Sequence, residues 1–454
     1  MRHTIPAPCR LLLALLACML LQACAKPKEP ALEFQPWMGG VQDFAFFPQD
    51  LEVYAKSAGP GKLLVTAEES ATQDLRYNRI LFGPWDMSKS LTRRKQLAAT
   101  FRKARGYKEG FTRWTQREWD AMAANAALKH FPARHDGAIT VRPTDLRELP
   151  THLPRFGKPT PEPSTRPFDL FQLSLLPVGT PLFISHTTKD GRWHYVECPI
   201  AGGWVDANDV ALTDPAFEKA YRTGSYAAFV RDGVSLAPDG APSVSAGIGT
   251  ILPLDGTDGD GLRLRLPKKG AGGHAAIATA TVGKGDAVRK PMPLTPGNVA
   301  AIGNRMMGQP YGWGGMNGNR DCSATTRDLL VPFGIYLHRN SGAQARQGVV
   351  IPLEGMTNEE KERTILREGV PFLSLVGMRG HITMYIGKYK DRAALFHNMW
   401  GLRIVNGPDD NDRLVIGRTV VSGISPGKEL PNLYNGVTIA DRLRTLSTPA
   451  EAIP

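Results

Sequence analysis

Six prolines fall between positions 150 and 167, at Pro150, Pro154, Pro159, Pro161, Pro163 and Pro167. Each fixes its own φ and lacks a donor N–H, so this stretch forms neither a helix nor an inner strand. It separates regions of different character, and residues 151–167 read as a linker. At 454 residues the chain exceeds what one hydrophobic core serves, which predicts three or four domains. Residues 34–150 read as a mainly helical N-terminal domain. Its clearest segment runs from Thr115 to Lys129, where Thr115 and Glu118 have capping-box spacing. Residues 168–220 and 221–290 instead carry short alternating segments between turns such as Lys189-Asp190-Gly191 and Asp258-Gly259-Asp260-Gly261. That spacing predicts two small β-barrels.

A fourth unit, residues 295–445, begins with Thr295 as N-cap and Pro296 at the first helical position, and predicts a helix over 298–307. A glycine-rich loop, Tyr311-Gly312-Trp313-Gly314-Gly315, then leads to Asp321-Cys322-Ser323 and a short helical pattern ending at Leu330. After a capping box at Thr357 and Glu360, strands are predicted at 380–387, 393–397, 402–405 and 414–421. Helices first and an antiparallel sheet second make an α+β domain.

Cys322 is placed at the start of a helix, where an anion such as a thiolate is favoured. A free thiol, with a pKa of about 8.5, also needs a base to become a nucleophile at neutral pH. His381 starts an alternating strand, and His397 ends the next one after a hairpin near Tyr389 to Arg392, toward the same edge of the sheet. One imidazole then serves as base and the other orients it. Taken singly, a cysteine is more often a small buried hydrophobe and a strand histidine a satisfied surface residue. Together with the loop they form a candidate site.

The amino terminus reads as an export signal over residues 1–23: Arg2 and Arg10 precede the apolar run Leu11 to Leu21, too short to span a bilayer. Leu21-Gln22-Ala23-Cys24 resembles the lipobox of bacterial lipoproteins, which implies a lipid on Cys24, a tether over 24–33 and, with Ala25 following, an outer-membrane anchor. The competing reading is ordinary cleavage after Ala25. Cys198 and Cys322 are then the remaining thiols. A disulfide between them would disarm Cys322, and two free thiols are expected. The formal net charge of +12 comes without a long basic block or zinc spacing, which argues against nucleic acid and for an anionic polymer or surface. The acidic turn from Asp255 to Asp260 lacks the calcium-loop pattern and reads as a solvated hairpin turn. Neither a metal nor an organic cofactor is required.

Tyr311 to Gly315, Asp321-Cys322-Ser323, Gly380-His381-Ile382-Thr383-Met384-Tyr385-Ile386-Gly387 and Phe396-His397-Asn398-Met399-Trp400-Gly401 resemble, in order and spacing, the NlpC-type cell-wall peptidase family, a papain-like group of bacterial cysteine peptidases. The upstream units resemble the branch of that family with a helical N-terminal domain and two bacterial SH3-like domains. The resemblance implies hydrolysis of the bond between γ-D-glutamate and a diamino acid in peptidoglycan stem peptides. It makes Cys322 the nucleophile, His381 the base and later the acid, and His397 the orienting residue. It has the Tyr311 hydroxyl join the Cys322 N–H around the oxyanion. Asp321 and Ser341 match positions that bind the free amine of the substrate's N-terminal L-alanine, with a barrel tyrosine for which Tyr195 is the candidate. Read from their neighbours alone, Tyr311 is a packing aromatic, Asp321 a helix cap and Ser341 a turn residue. A carboxylate beside the nucleophile makes physical sense only if it meets a cation, since alone it raises the thiol pKa. Ala324 replaces the family's usual glycine, and Met378-Arg379-Gly380 replaces a proline-containing turn. The rival readings are an endopeptidase on intact peptidoglycan, with the barrels binding the wall, and an envelope-binding protein that no longer turns over.

Overall fold

The computed structural model describes residues 41–110, 112–159, 167–238, 242–405 and 413–452. The leader, Cys24 and the tether lie outside them. Helices Leu51–Ala58, Ala67–Phe82, Arg94–Thr100 and Gln116–Ala126 make up most of the amino-terminal region, and the Thr115–Glu118 capping box is present. Their apolar faces are divided between two neighbours. Leu51, Tyr54 and Ala55 pack with Val299, Ile302 and Met306 of helix Pro296–Met306 in the C-terminal core, while Leu97, Trp114 and Trp119 pack with Phe171, Trp193 and Trp204 of the first barrel.

That first barrel is a seven-stranded antiparallel sheet of β1 (Asp136–Thr140), β2 (Thr144–Arg147), β3 (Gln172–Leu176), β4 (Pro181–Thr187), β5 (Trp193–Glu197), β6 (Gly202–Asp206) and β7 (Val210–Leu212), in the order β3-β2-β6-β5-β4-β1-β7. Two of its strands therefore precede the prolines, and the boundary expected at residue 150 moves upstream of Asp136. The pairing partners are nonlocal: β1 lies between β4 and β7, which no local pattern near residue 136 announces.

The proline stretch, expected to be a linker, is packed where it is described. Phe156 is 1% exposed and exchanges two backbone hydrogen bonds with Tyr107. The Arg147 guanidinium donates to the carbonyls of Thr151 and Leu153, and Trp114 Nε1 donates to that of Pro154. Prolines lack donors but keep acceptors, so apart from the single bridge at Phe156 side chains hold this segment as a strap.

The second β unit comprises β8 (Tyr226–Phe229), β9 (Val234–Leu236), β10 (Val244–Ala246), β11 (Ile251–Asp258), β12 (Gly261–Lys269), β13 (Ala275–Gly283) and β14 (Ala287–Lys290). Five of these form the sheet β13-β12-β11-β8-β14, and β9 and β10 make a ribbon. At the start of its acidic stretch Asp255 pairs with Arg263 and Arg265.

The C-terminal sheet contains β15 (Val349–Pro352), β16 (Leu375–Met378), β17 (His381–Tyr389), β18 (Arg392–Arg403), β19 (Arg413–Ser422) and β20 (Leu443–Thr448), in the order β15-β20-β16-β17-β18-β19. The hairpin between β17 and β18 falls where expected, with Lys390 and Asp391 both at positive φ. The segment 402–405, expected as a separate strand, largely continues β18 beyond a bulge between Met399 and Gly401. A bulge bends the strand without ending it, which sequence alternation does not distinguish from a turn.

Candidate active site

The glycine-rich loop is shaped by the first barrel. Gly314 and Gly315 sit at φ 64° and 91°, and a Cβ on either would stand 2.5 Å from the carbonyl oxygen of Gln172 or the Cβ of Leu175, respectively, on β3. Only glycine allows that approach. The loop returns through Gly312 N–H, which donates to the Arg320 carbonyl at 3.0 Å, and delivers Asp321 as the N-cap of helix Cys322–Leu330.

Cys322 is 6% exposed, and burial first, then the Asp321 charge, push its thiol up to about 12. Backbone N–H groups of Ile382 and Ser323 and the Arg339 charge pull the other way. Burial thus works against the preference of the helix start for an anion, and the thiol needs a base beside it to ionise.

His381 opens β17 directly after Gly380, whose φ of 79° makes the tight turn from β16. Helix Cys322–Leu330 packs on β17, and the backbone of Ile382, the residue after His381, acts on the Cys322 sulfur. Its Nε2 lies 2.8 Å from His397 Nδ1, and His397 Nε2 lies 3.0 Å from Ser422 Oγ. Burial, with the Arg442 charge, lowers His381 to about 4. Burial and the neighbouring His381 hold His397 well below the usual range. Cys322 and His381 each resist charging alone. A proton passing from one to the other creates opposite charges side by side, and each stabilises the other.

Asp321 has its cation, but the protein supplies it. Arg339 donates to both carboxylate oxygens at 2.6 and 3.1 Å, and the N–H groups of Ala324 and Gly314 and the Ser323 hydroxyl complete the shell. Five donors fill the roughly four lone-pair sites of a carboxylate. The expectation that Asp321 waits for a substrate amine is therefore corrected. Ser341 opens the short helix Ser341–Gln344 and is not a wall of the cavity at His381. Tyr195 is also misplaced for the amine: it is buried among Phe131 and Trp204, its hydroxyl 3.2 Å from Thr92 Oγ1.

Beside His381 opens a cavity of about 870 Å³. Phe168, Tyr311, Trp313 and Trp400 form an aromatic cluster on its wall. Burial raises the Tyr311 hydroxyl well above its usual range, so it stays protonated. Lys158, Arg403, Arg413 and Arg442 also line the cavity, and among the described residues no carboxylate does. Arg339, Phe168 and Ser422 were not singled out in the sequence. For Arg339 one signal existed, the need of Asp321 for a cation. Cys198 and Cys322 are both free thiols.

The fold and site define a multidomain protein with two SH3-like β domains and an α+β domain carrying an adjoining cysteine and two linked histidines. Four family models match the chain: an NLPC_P60 N-terminal stabilising domain over residues 13–131, an SH3 domain of SH3b1 type over 154–206, an SH3 domain of SH3b2 type over 214–259, and the NlpC/P60 family over 308–404. The α+β domain that carries Cys322 and the two histidines thus matches the NlpC/P60 family, and the upstream units match domains that accompany or stabilise it. An NlpC/P60 endopeptidase from Photobacterium damselae subsp. piscicida is similar in structure, with a TM-score of 0.78 and 23% identity, covering 89% of this chain and 98% of that one. An NlpC/P60 family protein from Bacillus cereus ATCC 10987 aligns with a TM-score of 0.48 and 16% identity over 69% of this chain and 100% of its own. No curated protein matched the chain.

Proposed function

We propose that this NlpC/P60 protein is a peptidoglycan hydrolase that cleaves the γ-D-glutamyl–diamino acid bond of stem peptides as a cysteine peptidase. The observation that carries the reading is the Cys322 thiol set against the first residues of β17, with His381 held by His397 at 2.8 Å. In this mechanism His381 takes the Sγ proton as the sulfur attacks the γ-carbonyl, and the proton then goes to the departing amine. Water hydrolyses the thioester, returning its proton through His381. The neutral Tyr311 hydroxyl and the Cys322 N–H serve the oxyanion. Arg403 and Arg442 on the cavity wall suit a peptide bearing carboxylates.

The free amino-terminal L-alanine expected of the substrate has no reader in Asp321, whose acceptors are taken by Arg339 and its neighbours. That favours the second reading, in which stem peptides still joined to glycan are also cut. Digestion of L-Ala-γ-D-Glu-diaminopimelate and of purified sacculi, each with wild type and Cys322→Ala, tests both. Hydrolysis by wild type and loss of at least about 10³-fold with the variant is expected of a nucleophile; equal cleavage by the two chains sinks the assignment. Export to the cell envelope with a lipid on Cys24 completes the proposal, supported by the Leu21 to Cys24 pattern. Labelled palmitate should enter the wild-type chain in a Gram-negative host and not Cys24→Ala; an unlabelled wild type rejects the anchor.

A further inference from the structure

His397, the orienting residue, has a partner of its own. It is fully buried on β18, and Ser422, equally buried at the end of β19, stands 3.0 Å from its Nε2. The Ser422 hydroxyl donates its hydrogen elsewhere, to the Gly423 carbonyl at 2.9 Å. Residue 423 is itself held by Asp43, whose carboxylate accepts the Gly423 N–H at 2.8 Å. A hydroxyl has one proton. With that proton committed to Gly423, Ser422 Oγ meets His397 only as an acceptor, so His397 Nε2 carries the hydrogen. A neutral imidazole carries one N–H, which leaves His397 Nδ1 bare. Across the 2.8 Å contact His381 Nε2 is then the donor, and His381 Nδ1 is bare in turn.

We propose that Ser422 is a positioning residue for this site: by accepting from His397 while donating to Gly423, it holds both imidazoles in the Nε2–H tautomer and keeps His381 Nδ1 free for the Cys322 proton. The proposal rests on the roles given above to Cys322 and His381. In the step it prepares, the S–H bond breaks, its electron pair stays on sulfur, and the proton bonds to His381 Nδ1. The resulting imidazolium still donates through Nε2 to His397. Without the Ser422 oxygen, His397 is free to carry its hydrogen on Nδ1. His381 must then accept at Nε2 and carry hydrogen on Nδ1, the form that cannot take the thiol proton. The charged groups acting on this pair are Arg442 and Asp321 at His381, and Asp321 and Arg339 at Cys322. None of them replaces the hydrogen-bond acceptor at His397 Nε2.

The test begins with the full chain labelled with ¹⁵N-histidine, its two ring signals assigned through His381→Gln and His397→Gln. Long-range ¹H–¹⁵N spectra at pH 7.5 should show both rings as Nε2–H tautomers; an Nδ1–H form of His397 overturns the proposal without any Ser422 variant. Alkylation of Cys322 by iodoacetamide, followed by peptide mass spectrometry from pH 6 to 9, is then compared for wild type, Ser422→Ala and Ser422→Thr. At neutral pH, Ser422→Ala should react about tenfold more slowly, the scale of one buried hydrogen bond. The deficit should narrow as pH rises, and Ser422→Thr should recover most of the rate. A Ser422→Ala profile matching wild type, or lowered equally at every pH, refutes the role. A wild type with both Nε2–H rings that cleaves no stem peptide would sink the peptidase reading and leave the tautomer assignment standing.

Discussion

At Arg339 a single side chain settles the chemistry of two others. It neutralises Asp321, which is buried beside Cys322, and its charge is one of the few influences that ease ionisation of that thiol. A buried pair of this kind adds little over an apolar replacement of both partners, but removing one partner strands the other. Arg339→Ala should therefore lose about 3–5 kcal/mol in urea unfolding and slow alkylation of Cys322. Arg339→Lys should lose less, because it keeps the charge while giving up the two-pronged contact and the Nε donation to Ser174 at 2.9 Å. Equal stability of Arg339→Ala and wild type would show that Asp321 is not held as an ion. Asp321 and Cys322 were legible in the sequence as neighbours in a motif. Their partner was not, because Arg339 belongs to a separate loop and only folding brings it to the helix start.

The elements that carry the two histidines depend on one tight hairpin. In β17 and β18 Met384 pairs with Phe396 and Tyr385 with Leu395. Carrying that register onward sets His397 opposite Thr383, on the face His381 shares and diagonal to it. The turn at Lys390 and Asp391 sets the pairs beside it, and a bulge between Tyr385 and Gly387 shifts the register by one before the histidines; the two turn residues have φ values of 45° and 62°, in the left-handed region that ordinary residues enter at a penalty. Replacing the pair with Asn-Gly should raise stability by about 1 kcal/mol, read as a higher urea midpoint with an unchanged slope and unchanged Cys322 alkylation. A falling midpoint would mean that the Lys388–Asp391 ion pair outweighs turn geometry. Caps, periods and turns of this kind are short-range signals, which is why Thr115, Thr357, the 296–306 helix and this hairpin were readable in advance. The bulge in β18 and the nonlocal placement of β1 were not, since both depend on the partner strand.

At the scale of the whole molecule, the loop before Cys322 is clamped between the two barrels by arginines. Arg320 binds Asp232 of the second barrel along with Asp328 and the Ile248 carbonyl, while Arg339 reaches Ser174 of the first. The same packing buries imidazoles as neutral groups. His381 falls to about 4, His397 lies well below its ordinary value, and burial also lowers His186 and brings His194 to about 4. Such depressed values stabilise the fold above the unfolded histidine pKa of about 6.5, and that contribution is lost as pH falls through the folded values. Urea unfolding should accordingly weaken between pH 6.5 and 5 by about 1.4 kcal/mol per pH unit for each histidine that titrates only when unfolded. Carboxylates such as Glu118, lowered to about 2, act mainly below that window. A flat profile from pH 7 to 5 would mean these imidazoles are not buried neutral.

By itself the sequence determined which groups are present and how they are presented locally: a cysteine at a helix start, histidines on alternating strands, glycines where a loop must turn back. Those features depend on residues close along the chain, where period, capping and turn chemistry act. Only the tertiary structure decided that burial pushes the thiol pKa up, that Asp321 is already paired, and that Phe168, just after the proline stretch, joins Tyr311 and Trp400 in the wall of the cavity. Burial, ion pairing and cavity shape are properties of groups remote in sequence and adjacent in space, and no local pattern carries them.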